Sequence, residues 1–294
     1  QVAPGEVFSK LPRSIPLKGE GMEQIISDFD KIIMPGITHW QSPNFYAYFP
    51  ANSSYASQLG EMLMTAIGAQ CMKWETSPAA AELEEMVMIW LRDILGLPET
   101  FTGVIQDTAS GGTLCAMLTA RERYSGFDIN KKGFSDQKTL RVYCSEETHS
   151  SIEKGAKIMG IGSDNVVKVS LDSKFSMRPD ILKEHITADI EKGYVPLCVV
   201  ATIGTTGSTA IDPLKEIAEI CKEHNIWLHV DAAYAGSALC LPEYEWVKEG
   251  MEHADSFVFN PHKWLFTNFD CSAYFVRDKK ALINTFEIMP EYLK

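Results

Sequence analysis

Lys263 lies in Asn260-Pro261-His262-Lys263-Trp264, directly after the apolar run DSFVF. A lysine held against apolar neighbours can lose its proton and condense with a carbonyl as a Schiff base. Upstream, Asp231 ends the hydrophobic run WLHVD and is followed by Ala232-Ala233-Tyr234. A carboxylate there is costly unless a cation meets it, and a protonated ring nitrogen would serve. The small Ala233 leaves room for a flat ring. Glu147-Thr148-His149-Ser150-Ser151 follows RVYCS, and His149 could stack on a planar ring or move protons. Thr108-Ala109-Ser110-Gly111-Gly112 follows GVIQ. Small residues at a helix start let backbone N–H groups and the helix dipole receive a phosphate. Each cluster alone has a plainer explanation: a surface lysine, an ion-paired aspartate, a hydrogen-bonded histidine, an ordinary cap at Ser110.

The elements around these clusters alternate. Residues 1–20 read as an extended arm, and residues 21–34 have a helical apolar period ended by Pro35-Gly36. Residues 37–56 are irregular and aromatic-rich, and the region 57–74 reads as helix. Ser77-Pro78 opens a helix over 79–95 with Leu83, Met86, Val87, Trp90, Leu91 and Ile94 on one side. Strands are predicted at 103–106, 139–145, 166–171, 197–204, 226–233, 255–260 and 272–277. Helices follow to about residue 124 and over 150–160, 179–192 and 213–225, the last capped by Asp212-Pro213. This rhythm predicts an α/β fold, a mostly parallel mixed sheet with helices on both faces. In such sheets ligands sit beyond the carboxyl ends of the strands, which is where all four clusters fall.

Composition narrows the function. The 294 residues carry a formal net charge of −12, which disfavours nucleic acid and anionic lipid as partners. No apolar run approaches the roughly 20 residues of a membrane span. The seven cysteines form no CxxC pair, as expected of free thiols in a reducing cytoplasm. The seven histidines show no metal-ligand spacing, so no metal is expected.

A phosphate cradle, a stacking histidine, an acid for a ring nitrogen and a lysine, on four strand ends in that order, together describe a site for pyridoxal 5′-phosphate (PLP). The chain resembles the group II PLP-dependent decarboxylases, above all the aromatic-L-amino-acid decarboxylases, and is similar to histidine, tryptophan and tyrosine decarboxylases. PGITHWQSPNFYAYFP (35–50), TSPAAAELE (76–84), THSS (148–151), ATIGTT (201–206), WLHVDAAYAGSA (227–238), ADSFVFNPHKW (254–264) and NFDCSAYFV (268–276) carry the resemblance.

The resemblance implies PLP fold type I, aspartate-aminotransferase-like, and a homodimer with its active site at the subunit boundary. It makes Lys263 the Schiff-base lysine, Asp231 the pyridinium partner, Ala233 the residue beneath the ring and His149 the residue stacked above it. Ala109 and Ser110 match the phosphate loop, with Asn260 and His262 completing that pocket, and Thr206 lies near the cofactor. Trp40, Tyr48, Phe49 and Pro50 match the substrate-pocket wall. Gln70 and Met72 match positions that face the substrate ring from the partner subunit. Tyr292 matches the mobile-loop tyrosine that returns a proton to the carbanion. The implied division is an arm and pocket segment at 1–50, a PLP-binding domain at 51–284 and the start of the mobile loop at 285–294. Relatives continue into a small C-terminal domain, so the sequence reads as a fragment without it. The implied reaction is decarboxylation of tryptophan, DOPA, tyrosine or phenylalanine to an amine and CO2. Histidine decarboxylation, aromatic acetaldehyde synthesis and other fold-type-I PLP reactions are the alternatives. The sequence departs from relatives in its shortened phosphate loop, TASGGT, in Ala51 where Thr is frequent, and at Gln70 and Met72.

Overall fold

A computed structural model describes residues 2–49, 53–135 and 137–288. The chain divides into two compact units, residues 1–50 and 51–294. The first holds α1 (Glu6–Lys10) and α2 (Met22–Asp28). The arm expected to be extended thus contains a helical turn, in which Glu6 pairs with Lys10 one turn on. The helix expected over 21–34 changes pitch after Asp28, passing through a π turn at Phe29–Ile33 into a 3₁₀ turn at Met34–Gly36.

The second unit begins with α3 (Tyr55–Ile67) and α4 (Pro78–Ile94). Ser54 caps α3 by accepting the Ser57 N–H. Gly68 ends it in the left-handed conformation, which glycine adopts without steric cost. The helix is therefore shorter than the 57–74 reading. In α4, Pro78 stands at the first position as expected, but Leu83, Met86, Trp90 and Ile94 are exposed, while Met88 and Leu91 meet the core.

A seven-stranded sheet follows: β1 (Thr102–Gln106), β2 (Leu140–Ser145), β3 (Val166–Val169), β4 (Val195–Thr202), β5 (Trp227–Asp231), β6 (Ser256–Phe259) and β7 (Ser272–Val276). Its order is β1-β7-β6-β5-β4-β2-β3. β7 runs antiparallel to both its neighbours, and every other pair is parallel. It follows that β1 points the same way as the five parallel strands. The carboxyl ends of β1, β2, β4, β5 and β6 share one edge of the sheet.

Helices α5 (Ala109–Ser125), α6 (Ile129–Lys132), α7 (Ser151–Ile158), α8 (Pro179–Glu191), α9 (Leu214–His224), α10 (Pro261–Trp264) and α11 (Lys279–Phe286) complete the unit. Strand side chains alternate between faces, and this sorts them into two cores. Tyr143, Val199, Leu228, Val230, Phe257 and Phe259 pack with α8 and α9. Val142, Cys144, Cys198, Val200, Trp227 and Val258 pack with α5 and α7 on the other face. Burying each of Phe257 and Phe259 contributes about 1.5–3 kcal/mol.

Asp212 does not cap α9. Its Oδ1 accepts the Met177 N–H at 2.7 Å and its Oδ2 the Thr202 N–H at 2.8 Å, while Pro213 occupies the cap position. Among the described residues, no helix is long and apolar enough to cross a membrane, and no group of three or more His, Cys, Asp or Glu could hold a metal.

Candidate active site

Asp231 ends β5 between β4 and β6, in register with Thr202 and Val258. It is only 5% exposed. Burial pushes its carboxyl above the usual carboxylate range; the Ala233 N–H, donating to Oδ1 at 3.0 Å, and the nearby Lys263 and His149 pull it back. These three side chains, distant in sequence, therefore share one electrostatic environment. The turn after β5 crosses the sheet closely. A Cβ on Gly236 would stand 2.5 Å from the Cβ of Phe259 and 3.0 Å from that of Ala232, so a side chain there would push the turn off β6.

Lys263 lies in the single turn of α10, which Asn260 and Pro261 start directly after β6. Burial lowers the pKa of its ammonium, and Asp231 raises it. Nζ is 5.9 Å from the centre of the Tyr234 ring, and that ring meets Trp264 edge-on at 5.3 Å. Desolvation thus favours the neutral, nucleophilic amine, while the carboxylate keeps the group within reach of its charged form.

His149 is exposed between β2 and α7. Its Nδ1 accepts the Ser151 N–H at 3.2 Å and lies 3.0 Å from Ser151 Oγ. That backbone donor requires a bare Nδ1, so the neutral ring carries its proton on Nε2.

Thr108 caps α5, its Oγ1 accepting the Gly111 N–H at 3.1 Å. Gly112 N–H bonds to Thr108 O at 3.1 Å. The amides of Ala109 and Ser110 occupy the first turn, where a helix offers no internal acceptor. A Cβ on Gly112 would meet Val258 Cγ2 at 3.0 Å, so the missing side chain lets this turn press on the sheet.

Asn260 and His262 are buried and tied to the start of β7. Ser272 Oγ–H donates to Asn260 Oδ1 at 2.7 Å, and His262 Nδ1 lies 3.0 Å from Cys271 N and 2.7 Å from Cys271 O. Thr206 is exposed at the tip of the loop following β4. The loop is closed by Gly204 and Thr205 N–H donating to Ala210 O.

Trp40, Tyr48 and Phe49 belong to the first unit and form one aromatic cluster there. Trp40 stacks on Tyr48 at 5.3 Å and meets Phe49 edge-on at 5.0 Å. Gln70 and Met72 are exposed beyond the end of α3. Pro50, Ala51 and Tyr292 lie outside the described residues.

Reasoning from sequence misses three groups in this region: Tyr234 beneath the lysine, Asp212 behind β4, and His229 with its partners Thr113 and Ser256. The period-2 pattern of β5 signals only that His229 faces the same side as Asp231.

Residues 4–294 match the family model described as the pyridoxal-dependent decarboxylase conserved domain. The chain belongs to the pyridoxal-dependent decarboxylase family. It is 45% identical over 302 residues to tyrosine decarboxylase 1 of Narcissus pseudonarcissus, covering all of this chain and 58% of that protein. It is 46% identical over 306 residues to histidine decarboxylase of Drosophila melanogaster, again across the whole chain but only 36% of the relative. Among solved structures, tryptophan decarboxylase of Catharanthus roseus in complex with L-tryptophan superposes with a TM-score of 0.93 at 40% identity, covering 99% of this chain and 63% of that one. The fold is that of the fold-type-I PLP decarboxylases, and the chain spans less than two thirds of the length of these relatives.

The family's cofactor is PLP, and the residues present fit it. Two first-turn amides of α5 suit a phosphate. A buried carboxylate at Asp231 suits a cationic ring nitrogen, and a desolvated lysine suits an aldehyde. All three stand on one sheet edge.

Proposed function

We propose that the protein decarboxylates an aromatic L-amino acid, namely tryptophan, DOPA, tyrosine or phenylalanine, to the corresponding amine and CO2. The observation that carries this reading is the shared environment of Asp231, Lys263 and His149 at the carboxyl ends of β5, β6 and β2. Bound PLP supplies the electron sink for the pair left when the bond from Cα to the carboxylate breaks.

The chain's own residues do the rest. Ala109 and Ser110 bind the phosphate through their backbone N–H groups. Asn260 and His262 complete that pocket, and the bond from Ser272 to Asn260 Oδ1 leaves the amide NH2 as Asn260's donor end. Asp231 holds a proton on the ring nitrogen, because a buried carboxylate stabilises the cation that in turn stabilises it. Lys263, the desolvated amine after β6, would hold the cofactor's aldehyde. Ala233 and His149 would be the residues that contact the cofactor's flat ring. Thr206, at the loop tip after β4, would be a further cofactor contact. Tyr292, assisted by His149, delivers the proton to Cα. Trp40, Tyr48, Phe49 and Pro50, with Gln70 and Met72 of a second copy in a homodimer, are assigned the selection of the substrate side chain on the family resemblance.

A panel of the four aromatic amino acids and histidine, scored by kcat/KM, tests this reading. Amine and CO2 from an aromatic substrate, without peroxide, are the expected products. Histidine is the second reading, favoured by the 46% identity to a histidine decarboxylase; a higher kcat/KM for histidine would select it. Aldehyde with peroxide and ammonia would instead select an acetaldehyde synthase.

A further inference from the structure

Trp227, His229 and Asp231 alternate along β5 and face α5. His229 is fully buried yet fully hydrogen-bonded. Its Nδ1 lies 2.9 Å from Ser256 Oγ on β6, and its Nε2 lies 3.1 Å from Thr113 Oγ1 on α5. The Trp227 indole N–H can only donate, and it donates to the same Ser256 Oγ at 2.9 Å. Ser256 Oγ thus ties Trp227 and His229 together, and the imidazole bridges it to Thr113 Oγ1. Burial keeps the ring neutral, with its pKa pushed down to about 3.

This relay joins three elements, and its ends matter. Thr113 is one turn beyond Ala109 in α5, and His229 is two residues before Asp231 on the same face of β5. The neighbouring Gly112 has room for no more than a hydrogen against Val258 and Tyr274, so α5 rests on the sheet at this point. A polar contact beside such an apolar one fixes register along the helix, because hydrogen bonds are directional and dispersion contacts are not.

We propose that His229 is a positioning residue of the cofactor site: hydrogen-bonded between Ser256 and Thr113, it sets the spacing between the amides of Ala109 and Ser110 and the carboxylate of Asp231. The inference rests on the reading that those amides bind the cofactor's phosphate and Asp231 its ring nitrogen. A ligand that spans both ends feels the spacing, whereas a ligand that reaches one end does not.

The test compares PLP with pyridoxal, which lacks the phosphate. Both are titrated into the purified cofactor-free protein by tryptophan fluorescence, alongside the melting temperature of each variant. Thr113→Val keeps the shape of the side chain and removes the hydroxyl that meets His229 Nε2. It is expected to weaken PLP at least tenfold while changing pyridoxal less than threefold, and Thr113→Ser is expected to restore PLP to within threefold of wild type. Should Thr113→Val fail to fold, Ser256→Ala breaks the relay at its other end and is expected to shrink the PLP-to-pyridoxal ratio in the same sense. Equal weakening of both ligands, or wild-type PLP affinity in a folded Thr113→Val protein, overturns the proposal alone. A wild type that binds pyridoxal as tightly as PLP overturns the phosphate reading, and the proposal with it.

Discussion

A carboxylate as buried as Asp231 is costly unless a cation meets it. Within the chain, that compensation comes from Lys263 and His149, which lower its pKa against the upward push of burial. In the proposed function, a protonated ring nitrogen at this position would complete the pairing, and the cofactor would supply a charged electron sink. Asp231→Asn keeps the shape and removes the charge, so kcat is expected to fall at least about a hundredfold, roughly 3 kcal/mol of barrier. Asp231→Glu is expected to retain more activity than the Asn variant. Steady-state kinetics of the two variants check this, and an Asn variant within a few-fold of wild type would remove Asp231 from its role. At this scale, Asp231 and Lys263 are legible in the sequence because each follows an apolar strand whose end must reach the ligand edge. His229 is not, because Thr113 and Ser256 lie 116 and 27 residues from it. No local pattern distinguishes a relay of hydrogen bonds from a core histidine.

At the scale of elements, strands and helices follow the apolar periodicity closely, and the differences have local causes. Gly68 stops α3 early, and Asp212 turns from α9 to the sheet. An Asp-Pro pair before a helix reads as a cap, but Met177 and Thr202, 35 and 10 residues away, offer Asp212 two buried N–H donors instead. Those bonds link the approach to α8 with the end of β4, beside the loop bearing Thr206. Burial raises the Asp212 carboxyl from 3.8 to about 6. A raised folded-state pKa means that the native state holds the proton more tightly than the unfolded chain does. The native state therefore gains stability as pH falls from about 6 to 4, and loses it again on the way back up. The gain is about 3 kcal/mol for a shift of this size. Urea unfolding of wild type and Asp212→Asn from pH 7 to pH 4 is expected to show the difference moving in favour of wild type by roughly that amount. A difference that stays flat with pH would contradict the burial argument.

For the whole molecule, the direction of β7 is the least legible feature and one of the most consequential. Strand-and-helix alternation predicts a mostly parallel sheet but not which strand runs against the others. Because β7 does so between β1 and β6, the first turn of α5 falls on the same edge as Asp231 and Lys263. Exposed apolar side chains are the other feature at this scale. Leu59, Met62, Leu63 and Ile67 line one side of α3, and Leu83 and Trp90 stand out on α4. In the proposed homodimer, a second copy would cover this stripe. Sedimentation equilibrium is expected to give a dimer for wild type and a weakened one for Leu63→Glu, with activity falling in parallel. A fully active monomer would contradict this. The central claim, that the sheet delivers one particular lysine to the cofactor, has a more direct test. The purified protein loaded with PLP is reduced with borohydride, digested and mapped by mass spectrometry. The cofactor's mass is expected on the peptide carrying Lys263, and no such adduct in Lys263→Ala; a stoichiometric adduct on any other lysine would contradict the account.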